Sequence, residues 1–321
     1  MKDKKDKITI GLFVDAFFPM IDGVIMVVDN YAKRLVKKEN VVVFAPKYDM
    51  GYDDEKLPYK VVRCKSIKLH IIDYSLPTPS FDKKFLKELE LYKLDIVHIH
   101  SPFTIGKLGV KYAKEHNIPL IGSMHSQIKQ DFKRAVKLEC FANILTHQMV
   151  KVYNNCDECW ATNEEVARVY FEDYGYKCMP GVMRNATEMI PLRSAGDDLK
   201  RIDEKYDIQS DEKVFLFVGR INALKNVYFI VNSLRKLKTI APDLHFKMLF
   251  VGSGQDTEKL KALIVKCGMS RQIILCGRIS DRKELQAYYK RADLFLFPSM
   301  YDTNALVQIE AACEQDRKSV V

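Results

Sequence analysis

Apolar runs recur along this chain, each closed by a polar or glycine-containing turn and followed by a stretch with helical spacing. Residues 7–14, 40–45, 120–124, 158–161, 214–218, 245–251, 272–275 and 294–297 read as strands. Most are unbroken runs rather than alternating ones, the mark of strands covered on both faces. Helical segments are expected from the turn at Gly23 to about residue 38, and over 82–92, 106–116, 257–267 and 281–291. Strand and helix in alternation predict an α/β protein built on parallel sheets.

Composition divides this pattern into domains. With 321 residues and 47% hydrophobic content the chain is too long for one ordinary core. Two domains are expected, over 1–190 and 191–321, with the polar stretch at 193–207 holding the connection and the helix after it. No apolar run approaches the roughly 18 residues of a membrane span. The charged start leads straight into a strand, so no secretory signal is expected. Eight scattered cysteines read as reduced thiols of a cytoplasmic protein, not as a disulfide framework. The formal charge is +9, with a basic excess concentrated before residue 150. That balance suits an anionic membrane, an anionic substrate or simple solubility. No DNA- or RNA-binding motif accompanies it, and no nucleic-acid partner is expected.

The candidate chemistry lies where strands end, because in open α/β sheets ligands collect at the carboxyl ends of strands. The first such turn lacks G-x-G-x-x-G, which argues against a dinucleotide-dependent hydride transfer; Gly23 is its glycine. Residues 95–102 read D-I-V-H-I-H-S-P, placing His98 and His100 on one face of a strand. They have metal-ligand chemistry, but a sheet face covered by helices argues against a metal. His125 follows the strand at 120–124. Cys156 and Cys159 form a C-x-x-C with no second pair at zinc-finger spacing, which argues against a zinc or redox site, and Thr162-Asn163-Glu164-Glu165 reads as the cap and first turn of a helix. A basic set, Lys129, Lys133, Arg134 and Lys137, runs beside apolar residues at helical spacing. It reads either as a solvated face or as one that meets an anionic bilayer.

Later in the chain a buried strand runs into Gly219, Arg220 and, five positions on, Lys225. An Arg fork and a Lys point charge are what a diphosphate needs. Gly252 and Arg278 end the next strands. Residues 297–312 then form a strand-to-helix corner in which Asp302 and Glu310 are separated by seven residues. With a helix starting near Thr303, Asp302 caps it and Glu310 lies about two turns in, so an extended ligand could meet both. Backbone donors at such a start favour an anion.

This last stretch resembles the E-x(7)-E signature of the family-four retaining glycosyltransferases, with Asp302 in place of the first Glu and Asn304-Ala305 where Phe-Gly is usual. Residues 219–226 match the family's G-R-x-x-x-x-K-N, and 95–102 its D-V-V-H-x-H-x-P. The likeness covers nearly the whole chain. It implies the GT-B fold: two Rossmann-like, doubly wound parallel-sheet domains facing a cleft, the second truncated at its C-terminus. It further implies a retaining transfer of a hexose from a nucleoside diphosphate sugar, a UDP-sugar favoured, to a lipid or glycan hydroxyl. Arg220 and Lys225 would hold the diphosphate, with Gly219, Gly252 and the helix start at Thr303, Asn304, Ala305 and Leu306 around it. Glu310 would meet the ribose, Asp302 the sugar and Arg278 the base, while His125 and Gly23 would face them from the other domain. No cofactor or metal is implied, the donor phosphate itself helping to deprotonate the acceptor. Lipid acceptors in the family favour the bilayer reading of the basic set, and so a protein peripheral on the inner face of the membrane. The alternatives are a nucleotide-sugar epimerase or phosphorylase of the same fold, or a non-catalytic nucleotide-sugar-binding protein.

Overall fold

The structure is a computed structural model that describes residues 7–68, 75–136, 138–192 and 196–314. The chain falls into two compact units, Met1–Ala186 and Thr187–Val321.

The first unit runs β1 (Thr9–Phe13), α1 (Gly23–Leu35), β2 (Asn40–Pro46), β3 (Lys60–Cys64), β4 (Ser66–Lys68), β5 (Ser75–Pro77), α2 (Lys83–Leu91), β6 (Ile96–Ile99) and α3 (Thr104–His116). It continues with β7 (Leu120–Met124), α4 (Ile128–Val136), α5 (Glu139–Tyr153), β8 (Glu158–Ala161), α6 (Glu164–Arg168) and β9 (Gly181–Val182). Seven strands make one parallel sheet in the order β3-β2-β1-β6-β7-β8-β9, and β4 pairs with β5 in a small antiparallel ribbon. The unbroken apolar runs have a simple cause. Along β1, Ile10 and Leu12 enter one buried cluster and Phe13 the other, so both faces of the strand are core. Phe13 stacks on Phe44 of β2 at 4.6 Å within the second of these. Burying an aromatic ring of this kind contributes about 2–3 kcal/mol.

Helix starts follow the sequence signals. Asp22 caps α1 through Ile25 N–H, Asp82 caps α2 through Phe85 N–H, and Asn163 caps α6 through Val166 N–H. The C-x-x-C thiols are both buried beside Gly122, where a side chain would have to overlap them. Cys156 donates toward Cys159, which pushes the Cys156 thiol up and draws the Cys159 thiol down.

The second unit runs α7 (Gly196–Tyr206), β10 (Lys213–Val218), α8 (Val227–Ile240), β11 (Phe246–Val251), α9 (Thr257–Lys266), β12 (Ile273–Gly277), α10 (Arg282–Arg291), β13 (Leu294–Phe295) and α11 (Leu306–Glu314). Its four strands are parallel in the order β12-β11-β10-β13. In both units the first strand has its second on one side and its fourth parallel strand on the other. The strand order therefore reverses beside β1 and beside β10, the switch point where a Rossmann-like sheet opens a crevice.

Two expectations are corrected here. The last helix begins at Leu306 instead of near Thr303, so Asp302 does not cap it. Asp302, Thr303 and Asn304 compete with helix through their short polar side chains, and Asp302 is drawn to another element. The strand before it is also shorter than the apolar run 294–297, keeping only Leu294 and Phe295 in the ladder. Within the stretch 193–207, expected to hold the connection and the helix after it, the helix runs Gly196–Tyr206, while residues 193–195, and the end of the chain after 314, lie outside the described residues.

Candidate active site

In the second unit the site grows from two neighbouring strand ends. β10 carries the chain to Gly219 and half-buried Arg220, then to buried Asn222, whose carboxamide oxygen accepts from Lys225 N–H. That cap forms one 3₁₀ turn, Ala223–Lys225, before α8. β13, hydrogen-bonded alongside β10, leads to the loop bearing Asp302. Lys225 Nζ lies 2.5 Å from both oxygens of Asp302 and 5.4 Å from the centre of the Phe297 ring. Asn226 donates to Pro298 O and Ser299 to Leu224 O, so the two loops are laced together. Residues 77 apart in sequence thus share one end of the sheet.

The third wall is β11 and its following loop. Gly252 has φ +139, and a Cβ there would lie 1.9 Å from Gly219 O; at Gly254 it would lie 2.2 Å from Ile221 O. Both contacts are with backbone, so only glycine lets these strand ends meet. Asp256 completes the wall by accepting from Ala223 N–H at 2.8 Å.

Glu310 lies in α11, four residues after the helix start at Leu306. It is 3% exposed, and its two oxygens accept from Arg282 (2.6 Å) and Tyr289 (3.0 Å). A carboxylate so deep requires such partners, and removing either would leave a buried charge uncompensated. Thr303, Asn304 and Ala305 form the half-buried loop before α11, Leu306 is buried at its start, and Arg278 is exposed after β12.

In the first unit, His125 follows β7 and joins His98 of β6 and His100 just past that strand. His100 Nδ1 lies 3.1 Å from His125 Nε2, and His98 Nε2 lies 2.8 Å from Ser123 Oγ. Burial pushes His98 down to about 3 and His125 to about 4, and lowers His100 well below its ordinary value. All three imidazoles are therefore neutral at pH 7. Asp15, at the end of β1, accepts from Ser101, Thr104, Ile105 N–H and Gly106 N–H at the start of α3, and burial pushes its carboxyl up. Gly23 opens α1, exposed, where a Cβ would meet nothing; the structure gives it no close approach.

The basic set is split. Lys129 is half-buried on α4, and Lys133 is exposed and pairs with Glu139. The side chain of Arg134, and Lys137 altogether, lie outside the described residues. Beside them Leu138, Phe141 and Ile144 are exposed at 54–56%. No described helix is long and apolar enough to cross a membrane.

Sequence reading missed Asn222, Asp256, Arg282 and Tyr289. Asn222 had a local signal, an Asn three residues before Lys225 at the start of a helical turn. The others had none, because Asp256 meets Ala223 across 33 positions and Arg282 meets Glu310 across 28.

Each unit is thus a parallel sheet whose strand order reverses beside its first strand, one with Lys225 and Asp302 at neighbouring strand ends and the other with a histidine cluster at its strand ends. Comparison with known proteins identifies the lineage. Residues 21–182, half of the chain, match the profile of Glycosyltransferase Family 4, and residues 198–314 match Glycosyl transferases group 1. The chain belongs to this glycosyltransferase family and has its GT-B fold. It is 27% identical over 94% of its length to an Alpha-monoglucosyldiacylglycerol synthase of Acholeplasma laidlawii, covering 77% of that protein. It is 25% identical to the synthase of that name from Streptococcus pneumoniae, covering 94% of this chain and 68% of that one. Among solved structures, Anabaena HepE in complex with UDP and glucose superposes with a TM-score of 0.72 at 14% identity, over 98% of this chain and 80% of that one.

Proposed function

We propose that the chain is a retaining hexosyltransferase that moves a sugar from a nucleoside diphosphate donor, a UDP-sugar favoured, to the hydroxyl of a lipid or glycan acceptor. The observation that carries this reading is the meeting of Lys225 and Asp302 at the ends of adjacent strands β10 and β13. A mobile ammonium there would neutralise the departing diphosphate with Arg220, which is electrostatic stabilisation of a leaving anion. Asp302, released, would accept from a sugar hydroxyl. Glu310, fixed by Arg282 and Tyr289, would turn its remaining lone pairs to the ribose, and the loop 303–306 would add backbone donors. Arg278 and the backbone at Gly219 and Gly252 would border the nucleotide. His125 would orient the sugar, and the donor phosphate would take the acceptor proton on the face it leaves, so no cofactor or metal is required.

Two relatives, both alpha-monoglucosyldiacylglycerol synthases, support the lipid as acceptor. So do the exposed Leu138, Phe141 and Ile144 beside Lys129 and Lys133, an apolar stripe with a basic margin suited to an anionic bilayer. On this reading the enzyme works as a peripheral protein on the cytoplasmic face of the membrane.

The test is a panel of nucleotide sugars in thermal denaturation, followed by transfer to diacylglycerol in mixed vesicles. A donor at a hundred times its Kd adds roughly 2.7 kcal/mol of stability. An axial anomeric linkage in the product from an axial donor supports retention. An inverted linkage, or sugar released or isomerised with donor alone, refutes the assignment.

A further inference from the structure

Glu314 is a buried acid to which the proposed reaction gives no part. It closes α11 one turn after Glu310 and is 2% exposed. Both of its carboxyl oxygens accept: Oε1 from Gln286 Nε2 at 2.8 Å, and Oε2 from the backbone N–H of Leu192 at 3.1 Å. Gln286, itself buried, directs its second amide proton to Ile190 O at 3.0 Å. Cys313 donates to Met189 O at 3.2 Å, and the Met189 side chain lies in the core of the second unit. Residues 183–192 belong to no helix or strand, so these backbone groups of 189–192 are held by side chains of α10 and α11 where a ladder would otherwise serve. This is the stretch through which the chain enters the second unit, the first having ended at Ala186.

The contacts between the two helices form two rungs. On α10, Arg282, Gln286 and Tyr289 stand at i, i+4 and i+7, and on α11 Glu310 and Glu314 stand at i and i+4, spacings that put each set on one helix face. Arg282 and Tyr289 hold Glu310, and Gln286, between them in sequence, holds Glu314. Neighbouring turns of a helix are joined by their own hydrogen bonds, so a shift of α11 at Glu310 is felt at Glu314. An apolar side chain at 314 would fill the same volume without the cost of taking a carboxyl group out of water. What the acid adds is its hold on Leu192.

We propose that Glu314 is a positioning residue for the nucleotide: with Gln286 it ties segment 189–192 to the turn of α11 next to Glu310, so that the tie and a nucleotide at Glu310 favour each other. This rests on the reading of Glu310 as the group that meets the ribose. The effect is reciprocal, because the factor by which the nucleotide steadies the tie is the factor by which the tie strengthens nucleotide binding.

Amide hydrogen exchange of the full chain, with and without saturating UDP, reads the tie at the Leu192 N–H. The Met269 N–H, bonded to Ile264 O at the end of α9, is the reference for general stabilisation, and titration calorimetry gives the UDP affinity. UDP is expected to slow exchange at Leu192 about fivefold beyond any change at Met269, the low end of ordinary coupling. Glu314→Gln offers one oxygen where two N–H groups need acceptors, so exchange at Leu192 quickens and UDP binds more weakly by the matching factor, about fivefold. The double variant Gln286→Glu with Glu314→Gln reverses donor and acceptor within the pair and leaves the amide oxygen for Leu192; it restores both quantities. A structural role alone would lower stability and leave both the UDP affinity and the difference between the two amides in place. Equal slowing of Leu192 and Met269 by UDP overturns the proposal. So does a Glu314→Gln protein that binds UDP like the wild type. If Glu314→Gln does not fold, the wild-type exchange decides. If Glu310→Gln leaves the UDP affinity unchanged, the reading of Glu310 fails and the proposal with it; if the affinity depends on Glu310 while Leu192 does not respond, only the tie fails.

Discussion

Replacing Asp302 by Asn separates two quantities that a purely structural ion pair would not set against each other. In the folded protein both Asp302 oxygens lie 2.5 Å from Lys225 Nζ, and the two side chains are 22% and 19% exposed. Such a pair stands between a surface bridge, worth about 0–1 kcal/mol, and a buried one, whose breaking costs about 3–5 kcal/mol. With about a fifth of each side chain in water, the lower range applies, and about 1 kcal/mol is the working value. The carboxamide keeps the shape and loses the charge, so Asp302→Asn should lower the free energy of unfolding by about 1 kcal/mol. A diphosphate arriving at the same site must draw Lys225 away from Asp302. Freeing that cation beforehand returns a similar amount to binding, so UDP should bind about fivefold more tightly while sugar transfer falls. Urea denaturation followed by circular dichroism measures the first quantity, and titration calorimetry with UDP at low salt, where screening is weak, measures the second. UDP binding that weakens or stays the same in Asp302→Asn refutes the reasoning, because Lys225 would then not be the cation that the diphosphate uses.

Four further outcomes follow from the geometry. Glu310→Gln leaves Arg282 without its buried counter-charge and should cost about 3 kcal/mol in urea denaturation; a change near zero would mean that the buried pair is not formed in solution. Gly252→Ala drives a Cβ against Gly219 O at φ +139 and should cost about 3 kcal/mol or more, read as lost soluble yield or a lower urea midpoint, and a wild-type midpoint would contradict the close approach of the two strand ends. For pH, the folded values of His98, His100 and His125 lie below the ordinary 6.5, so below that pH the unfolded chain binds more protons than the folded one. Stability should fall as pH drops from 6.5 toward about 4, by up to roughly 1.4 kcal/mol per pH unit for each histidine, and a urea midpoint flat across that window would count against their burial. Reversing Lys129 and Lys133 to Glu should weaken sedimentation with anionic vesicles more than tenfold, at about 1 kcal/mol per basic residue lost, and no change would remove α4 from the membrane face.

The sequence by itself determined the α/β alternation, most strand positions and the residues of highest interest, because those are local properties. An unbroken apolar run, an Asp or Asn three residues ahead of an unpaired amide, and a glycine at a strand end act over a few positions, and β7 and β8 appear with the expected bounds. What only the tertiary structure decided is which of these residues meet. Lys225 and Asp302 are 77 positions apart, His100 and His125 are 25, and Glu310 is claimed by Arg282 and Tyr289 from α10. The start of the last helix shows the same limit. Propensity allows it to begin anywhere after Pro298, and the long-range ion pair at Asp302, together with the turn-forming Thr303 and Asn304, holds it off until Leu306. Local chemistry names candidates; strand order, set by packing both faces of each sheet, brings their ends together.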